Sequence, residues 1–237
     1  MRIKQFLKKS DRSRRGQSFV ELLLVLVILM MMLAGVVEYG FLINSYIHVL
    51  DGTREAARTY NSYKAFDPDT QVKIDTFYFF TAEQAATTMT PVVLNPDAGD
   101  DIIISVISLR GTNITRHPYS TGWSLCGNYA AYLQYYRDQS TTPLEQLSAE
   151  GWKHCSANDS RLTNADITAR AGVNAMQSGL LVVEIIYHYS QVLKLPFFSG
   201  AEFLGTKYSL IPDPIPLYLY SIMPMSSAEP TEAGTVH

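Results

Sequence analysis

The order of apolar and polar positions separates an unbroken apolar run near the N-terminus from mixed segments after it. Residues 22–37 are sixteen consecutive positions without a charge. With residues 19–21 they make nineteen positions, which span about 28 Å as a helix. The hydrocarbon core of a bilayer is ~30 Å thick. The run therefore predicts a helix that crosses a membrane, and we assign 17–43 to this span.

The helical pattern continues beyond the apolar run, because no proline occurs before Pro68. Apolar or small side chains recur at spacings of three and four residues, which places them on one side of a helix. This stripe comprises Leu42, Tyr46, Val49, Thr53, Ala56, Tyr60 and Tyr63. We expect one helix from about Ser18 to Tyr63, ended by 66–69, whose amphipathic part (44–66) packs on a sheet. Gly52 weakens it by ~1 kcal/mol relative to alanine.

Four later segments have extended character. Residues 71–80 indicate a strand or the start of the body, and Asp101–Leu109 is β-branched and indicates a strand buried on both faces. Leu181–Val192 alternates, which predicts a half-buried strand with Glu184, His188 and Ser190 on the solvated face. Ile215–Met223 indicates a last strand.

These elements predict an α+β fold in which a long N-terminal transmembrane and amphipathic helix packs on a small, mainly antiparallel sheet. The body would occupy 67–223, with an inserted, disulfide-bearing region at 111–177. The polar tail, 224–237, is expected to be disordered.

Charge is divided unevenly along the chain. Residues 1–16 carry seven basic side chains and one acidic side chain, whereas the remainder has a net charge of −9. An acidic body argues against nucleic-acid binding, which needs a basic face. Because basic residues stay on the cytoplasmic side, 1–16 indicates a cytoplasmic leader and an extracytoplasmic body.

Three interpretations of this N-terminus compete: a cleaved secretory signal peptide, an uncleaved signal anchor, and a pilin-type class III leader cut before the apolar run. The third accounts for Arg14-Arg15-Gly16 ahead of the helix and for Glu21 inside the apolar segment, where a carboxylate is costly. Cleavage after Gly16 makes Gln17 the new N-terminus. Glu21 could then pair with the α-amino group of a neighbouring subunit.

Residues 14–60 resemble the start of TadE-like proteins of the tight-adherence (Tad) pilus, which are pilin-like, or pseudopilin, proteins. The residues that carry the resemblance are Gly16, Gln17, Ser18, Glu21, the apolar run, Glu38-Tyr39-Gly40 and residues 53–58. The resemblance implies processing at Gly16 by a prepilin peptidase and a role in pilus biogenesis. Residues 183–189, 195–198 and 217–223 are similar to the end of the family, whereas 111–177 has no counterpart there.

The insertion holds both cysteines of the chain, Cys126 and Cys155. An exported body favours a disulfide between them, and two free thiols or a metal site with His154 are the alternatives. The insertion is also rich in aromatic residues, which either bind sugars and surfaces or pack in the core; we favour the core.

We find no catalytic signature and expect no enzyme, cofactor, metal or small-molecule substrate. Residues 95–101 cluster acidic oxygens that calcium could use, but an Asx-rich turn is the favoured interpretation. His188 is interpreted as a solvated surface residue.

The apolar loop 193–204, with Leu195, Phe197 and Phe198, is a candidate partner contact. Its alternatives are docking on the membrane and folding back over the core. The whole pattern predicts a single-pass minor pilin-like subunit that assembles with other pilin-like subunits, either membrane-bound or in a pilus. The alternative is an adhesion or binding domain on an uncleaved anchor.

Overall fold

A computed structural model describes residues 11–65, 74–111, 113–117, 119–136, 149–171, 178–194, 201–203, 206–208 and 213–228, with side chains in the first helix described from Ser18 onward. The chain divides into two compact units. Residues 1–43 and 191–213 form the first, and residues 44–190 and 214–237 form the second.

The predicted N-terminal helix is present as α1, Asp11–Tyr60. It contains the apolar run and most of the predicted amphipathic stripe. Val49, Thr53 and Ala56 are fully buried, as the stripe predicts, but Tyr46 and Tyr63 are exposed. The buried side of the helix is instead completed by Gly52 and Ala57. The segment predicted to end the helix, 66–69, lies outside the described residues.

The second unit is built on one antiparallel sheet. Its strands are β1 (Asp101–Arg110), β2 (Asn113–His117), β3 (Trp123–Ser124), β4 (Ser178–Tyr189) and β7 (Ile215–Pro224). The order is β2-β1-β4-β7, and β3 also pairs with β1. The predicted mainly antiparallel sheet is thus confirmed, and so is its composition from the three long strands β1, β4 and β7.

The segment 71–80, interpreted as a strand or as the start of the body, is helical from Asp75 onward. Helix α2 runs from Asp75 to Thr88 and buries Phe77, Tyr78 and Phe79 in succession. Three consecutive buried aromatic residues favour a strand by composition, but α2 is covered on more than one side and therefore lacks the polar stripe of an amphipathic helix. The strand prediction was wrong for this reason.

One face of the sheet and three helices enclose the main core of the second unit. Ile102, Ile104 and Val106 of β1 and Leu181, Val183 and Ile185 of β4 project into it. Residues of α1, α2 and α3 (Leu125–Tyr136) complete it, among them Val49, Ala82 and Tyr129.

The insertion, 111–177, contributes strands to the sheet and also residues that cover one of its faces. It supplies β2 and β3 at one side of β1, and it also contains α3, α4 (Ala149–Trp152) and α5 (Asn164–Ala171). Leu162 and Ile167 pack on the second face of the sheet against Ile107, Leu109 and Val182. The interpretation of β4 as half-buried is therefore wrong: the insertion covers the face that was expected to be solvated.

Aromatic residues of the insertion lie in the interior. Trp123, Tyr129, Tyr132 and Trp152 are each at most 2% exposed, and Tyr129 stacks on both Tyr132 and Trp152. Core packing, the favoured interpretation of these rings, is confirmed.

The described part of the C-terminal tail differs from the expected disorder. Ser226–Ala228 forms a 3-10 turn, and the Ser108 hydroxyl donates to the Ala228 carbonyl oxygen at 2.7 Å. Residues 229–237 lie outside the described residues. In the first unit, β5 (Ala201–Phe203) and β6 (Thr206–Tyr208) form a hairpin where only a loop was expected.

Candidate functional site

The first unit carries an exposed apolar surface along α1. Most large apolar side chains between Phe19 and Ile43 are at least 40% exposed. The segment is long and apolar enough to cross a membrane, with a mean hydropathy of 2.9 over its best window. It fits a single-pass membrane anchor.

Glu21 lies on this surface near its N-terminal end and is exposed. Tyr39 follows it by 18 residues, which is about five turns at ~3.6 residues per turn, so the two share one side of α1. We call this side the Glu21 face. Its members are Glu21, Val25, Ile28, Met32, Val36, Tyr39 and Ile43, all exposed.

The predicted processing residues, Gly16 and Gln17, lie within α1, but their side chains lie outside the described part of the chain. Leu195, Phe197 and Phe198, the candidate partner contact, also lie outside the described residues. Processing at Gly16 and contact through the phenylalanines therefore stay predictions.

Glu38 lies one residue beyond the uncharged run and binds the start of the connection between β4 and β7. Its Oε1 accepts a hydrogen bond from the backbone N–H of Val192, and its Oε2 accepts one from Leu193, both at 2.8 Å. In the sequence, Glu38 is notable as part of the Glu38-Tyr39-Gly40 motif. No sequence signal linked it to a segment more than 150 positions away.

The predicted disulfide between Cys126 and Cys155 is present. Asp101, a fully buried carboxylate at the start of β1, accepts hydrogen bonds from both segments that the disulfide joins. The backbone N–H groups of Cys126 and Asn158 donate to it, each at 3.1 Å, and the Ser124 hydroxyl donates at 2.6 Å. Burial raises the pKa of Asp101, although these donors act in the opposite direction.

Glu184 of β4 is a second buried carboxylate. It binds the segment of the insertion that covers the other face of the sheet. The backbone N–H groups of Arg161 and Leu162 donate to its Oε1 at 3.1 and 3.3 Å. The hydroxyls of Ser160 and Tyr218 also donate to it. Burial, followed by the hydrogen bond to Glu184, raises the pKa of the Tyr218 hydroxyl. Glu184 was assigned to a solvated face, and this assignment was wrong.

His188 is half-buried and bound to Asp100, and is not the fully solvated residue that was expected. Its Nδ1 lies 2.9 Å from Asp100 Oδ1, and its backbone N–H donates to the same oxygen at 2.7 Å. The other Asp100 oxygen accepts from the backbone N–H of Asn95 at 2.7 Å. Burial raises the pKa of Asp100.

The acidic segment 95–101 forms the expected turn. The Asn95 side chain accepts a hydrogen bond from the Asp97 N–H at 3.2 Å, and Pro96–Ala98 forms a 3-10 turn. The carboxylate oxygens of Asp100 and Asp101 accept hydrogen bonds from N–H and O–H groups of the protein. Within the described ranges there is no group of three or more histidine, cysteine, aspartate or glutamate side chains that could hold a metal ion.

Residues 16–58 match the family model described as TadE-like protein. The match covers the segment on which the resemblance was based and confirms it as a TadE-like segment. No curated protein and no solved structure matches the chain. The similarity of the C-terminal strands to the family stays a prediction, because the match ends within α1.

Proposed function

We propose that this chain is a minor pilin-like subunit that takes part in the assembly of a Tad-type pilus. Its TadE-like segment associates it with Tad pilus proteins, and its apolar helix fits a membrane anchor. Assembly would proceed by packing of the Glu21 face of α1 against other pilin-like chains.

The exposed apolar surface of α1 continues on both sides of Glu38. From Phe19 to Ile43 it covers 25 positions, about 37 Å of helix, which a tilted membrane span fills. Tyr39 and Ile43 stay 62% and 40% exposed beyond Glu38. Large apolar groups exposed together mark a contact surface, and another helix of the same kind would cover them.

Glu21 supports the same packing. A carboxylate in a lipid-facing helix is costly and usually has a functional partner. If a prepilin peptidase cleaves after Gly16, a neighbouring subunit presents a free α-amino group at the depth of Glu21. The carboxylate and the α-amino group would compensate each other's charge in lipid. Glu21, the fifth residue of the mature chain, would therefore be a determinant of assembly.

An adhesion domain on an uncleaved anchor is the alternative. Its sequence support came from the aromatic residues of the insertion. Because Trp123, Tyr129, Tyr132 and Trp152 are buried in the core, they do not form a binding surface for sugars. The alternative loses the support of these four rings, and the TadE-like segment favours assembly.

The test changes Tyr39 and Ile43 together to serine and leaves the uncharged run intact. We expect the variant to insert into membranes normally and to lose pilus assembly. Phe41→Ser is the matched control, because Phe41 is 44% exposed but lies two residues from Tyr39, on another side of α1. Normal piliation of the double variant would contradict packing through this face.

A further inference from the structure

The connection between β4 and β7 begins with two apolar residues that face solvent. Val192 is 58% exposed and Leu193 is 40% exposed. Both belong to the same compact unit as the apolar part of α1. Their backbone N–H groups bind the two carboxylate oxygens of Glu38 at 2.8 Å, so their position along α1 is fixed.

This position is defined relative to the membrane. Glu38 directly follows the uncharged residues 22–37. Residues 19–37, which span about 28 Å as a helix, fill most of the hydrocarbon core and bring Glu38 to the boundary between hydrocarbon and headgroups. Val192 and Leu193 are held at the same level, because each is one hydrogen bond away from this carboxylate. The inference rests on the membrane span of α1 and is otherwise independent of pilus assembly.

The hydrogen bonds themselves suit a membrane boundary. Non-helical backbone cannot lie against lipid unless its N–H groups are satisfied within the protein, and an ionised carboxylate at this depth needs compensation. Glu38 and the two N–H groups meet both requirements at once. In bulk water neither group would need the other.

The neighbouring residues complete an amphipathic contact. At the start of the connection, the backbone N–H of Gln191 donates to Asp213 Oδ1 at 3.2 Å, so the two ends of 191–213 are held together. Lys194 follows the apolar pair and is exposed. A lysine ammonium beside two apolar side chains matches a phospholipid surface, with the phosphate above the acyl chains.

The geometry points to Val192, Leu193 and Lys194 as a membrane-interface contact: the two apolar side chains enter the edge of the hydrocarbon, and Lys194 binds lipid phosphate. The occupant is a phospholipid bilayer. The connection would give the protein a second attachment to the membrane beside α1.

The experiment uses the full chain in phospholipid vesicles, with Val192→Cys labelled by an environment-sensitive fluorophore. The native cysteines are joined in a disulfide and do not react. Thr87→Cys, an exposed position on α2, is the control. We expect acyl-chain-brominated lipid to quench the label at 192 more strongly than aqueous iodide, and the opposite order at 87. Stronger iodide quenching at both positions would overturn the proposal.

Two further measurements distinguish the alternatives. Glu38→Ala should move the label at 192 into water and raise its quenching by iodide, whereas Glu38→Gln, which keeps a carbonyl acceptor, should have a smaller effect. Unchanged lipid quenching in Glu38→Ala would reject the role of Glu38. If the label is shielded from iodide only when another pilin-like chain is reconstituted with it, the occupant is a protein and the membrane contact is wrong.

Discussion

Gly52 of α1 lies against the backbone of Ala85 in α2: a Cβ atom at position 52 would stand 2.8 Å from the Ala85 carbonyl oxygen and 3.2 Å from Met89 Cβ. Real Cβ atoms essentially never approach backbone so closely. The glycine that weakens α1 by propensity therefore allows two helices of the core to meet.

Replacing Gly52 by alanine should destabilise the body. Alanine gains ~1 kcal/mol of helix propensity, but inserting a methyl group into a packed contact costs about 1–3 kcal/mol, and backbone cannot move aside as a side chain can. Thermal unfolding of the full chain in detergent checks this. Gly40→Ala is the control: nothing lies within 4 Å of its added Cβ, so its melting temperature should not fall. Equal effects of both substitutions would contradict the contact.

Asp101→Asn should destabilise the body at neutral pH. The carboxylate accepts hydrogen bonds from Ser124, Cys126 and Asn158, and an amide would turn its NH2 group toward some of these donors. Leaving buried donors unsatisfied costs ~1–3 kcal/mol each. Urea unfolding at pH 7 measures the loss. A variant as stable as the parent would show that the Asp101 hydrogen bonds contribute little.

The raised pKa of Asp101 also predicts that the stability loss in Asp101→Asn depends on pH. Burial raises the pKa of Asp101 in the folded protein, so the folded state binds a proton more readily than the unfolded state. The stability that the protein gains from protonation of Asp101 is fully present below the pKa that this group has in the unfolded chain. It is lost as pH rises through the pKa that the group has in the folded protein. The stability difference between the parent and Asp101→Asn should therefore widen on acidification from pH 7 toward pH 4. A difference that narrows would contradict the raised pKa.

Removing the disulfide should lower stability without affecting membrane insertion. Closing the loop between Cys126 and Cys155, which are 29 positions apart, restricts the unfolded chain by roughly 3–4 kcal/mol on the entropy model. The double variant Cys126→Ser, Cys155→Ser should lose about this amount in urea unfolding. Addition of a reductant should destabilise the parent and leave the double variant unchanged; a reductant effect on both proteins would point to another cause.

Glu21→Ala should separate insertion from assembly. The change removes a costly carboxylate from lipid, so insertion should persist or improve. Assembly should fall, because the α-amino group of the neighbouring subunit loses its partner. Membrane fractionation and counting of pili measure the two effects. Leu23→Ala is the control for loss of side-chain volume, because Leu23 is exposed and lies two residues from Glu21, on another side of α1. Normal piliation of Glu21→Ala would remove the proposed charge pair.

The strongly periodic parts of the fold were predictable from the sequence. The apolar run and the spacing of Val49, Thr53 and Ala56 located α1, and the β-branched residues of β1 and the alternation in β4 located two strands. Each of these signals is local. Helix α2 was missed because burial of Phe77, Tyr78 and Phe79 on several sides removes the period that identifies a helix.

The polar contacts could not be predicted, because they depend on what covers each surface. Glu184 and His188 alternate with apolar neighbours, as solvated residues do. They are nevertheless bound by distant segments, the backbone at Arg161 and the carboxylate of Asp100. The link between Glu38 and Val192 has the same origin: it joins two segments that no local pattern connects.

The mass of the mature protein tests the central claim most directly. The chain should be expressed with and without a prepilin peptidase and its intact mass measured. We expect loss of residues 1–16, with Gln17 as the new N-terminus, only when the peptidase is present, and Gly16→Val should block the change. An intact Met1 in the presence of the active peptidase would contradict the pilin-like account and leave an uncleaved anchor.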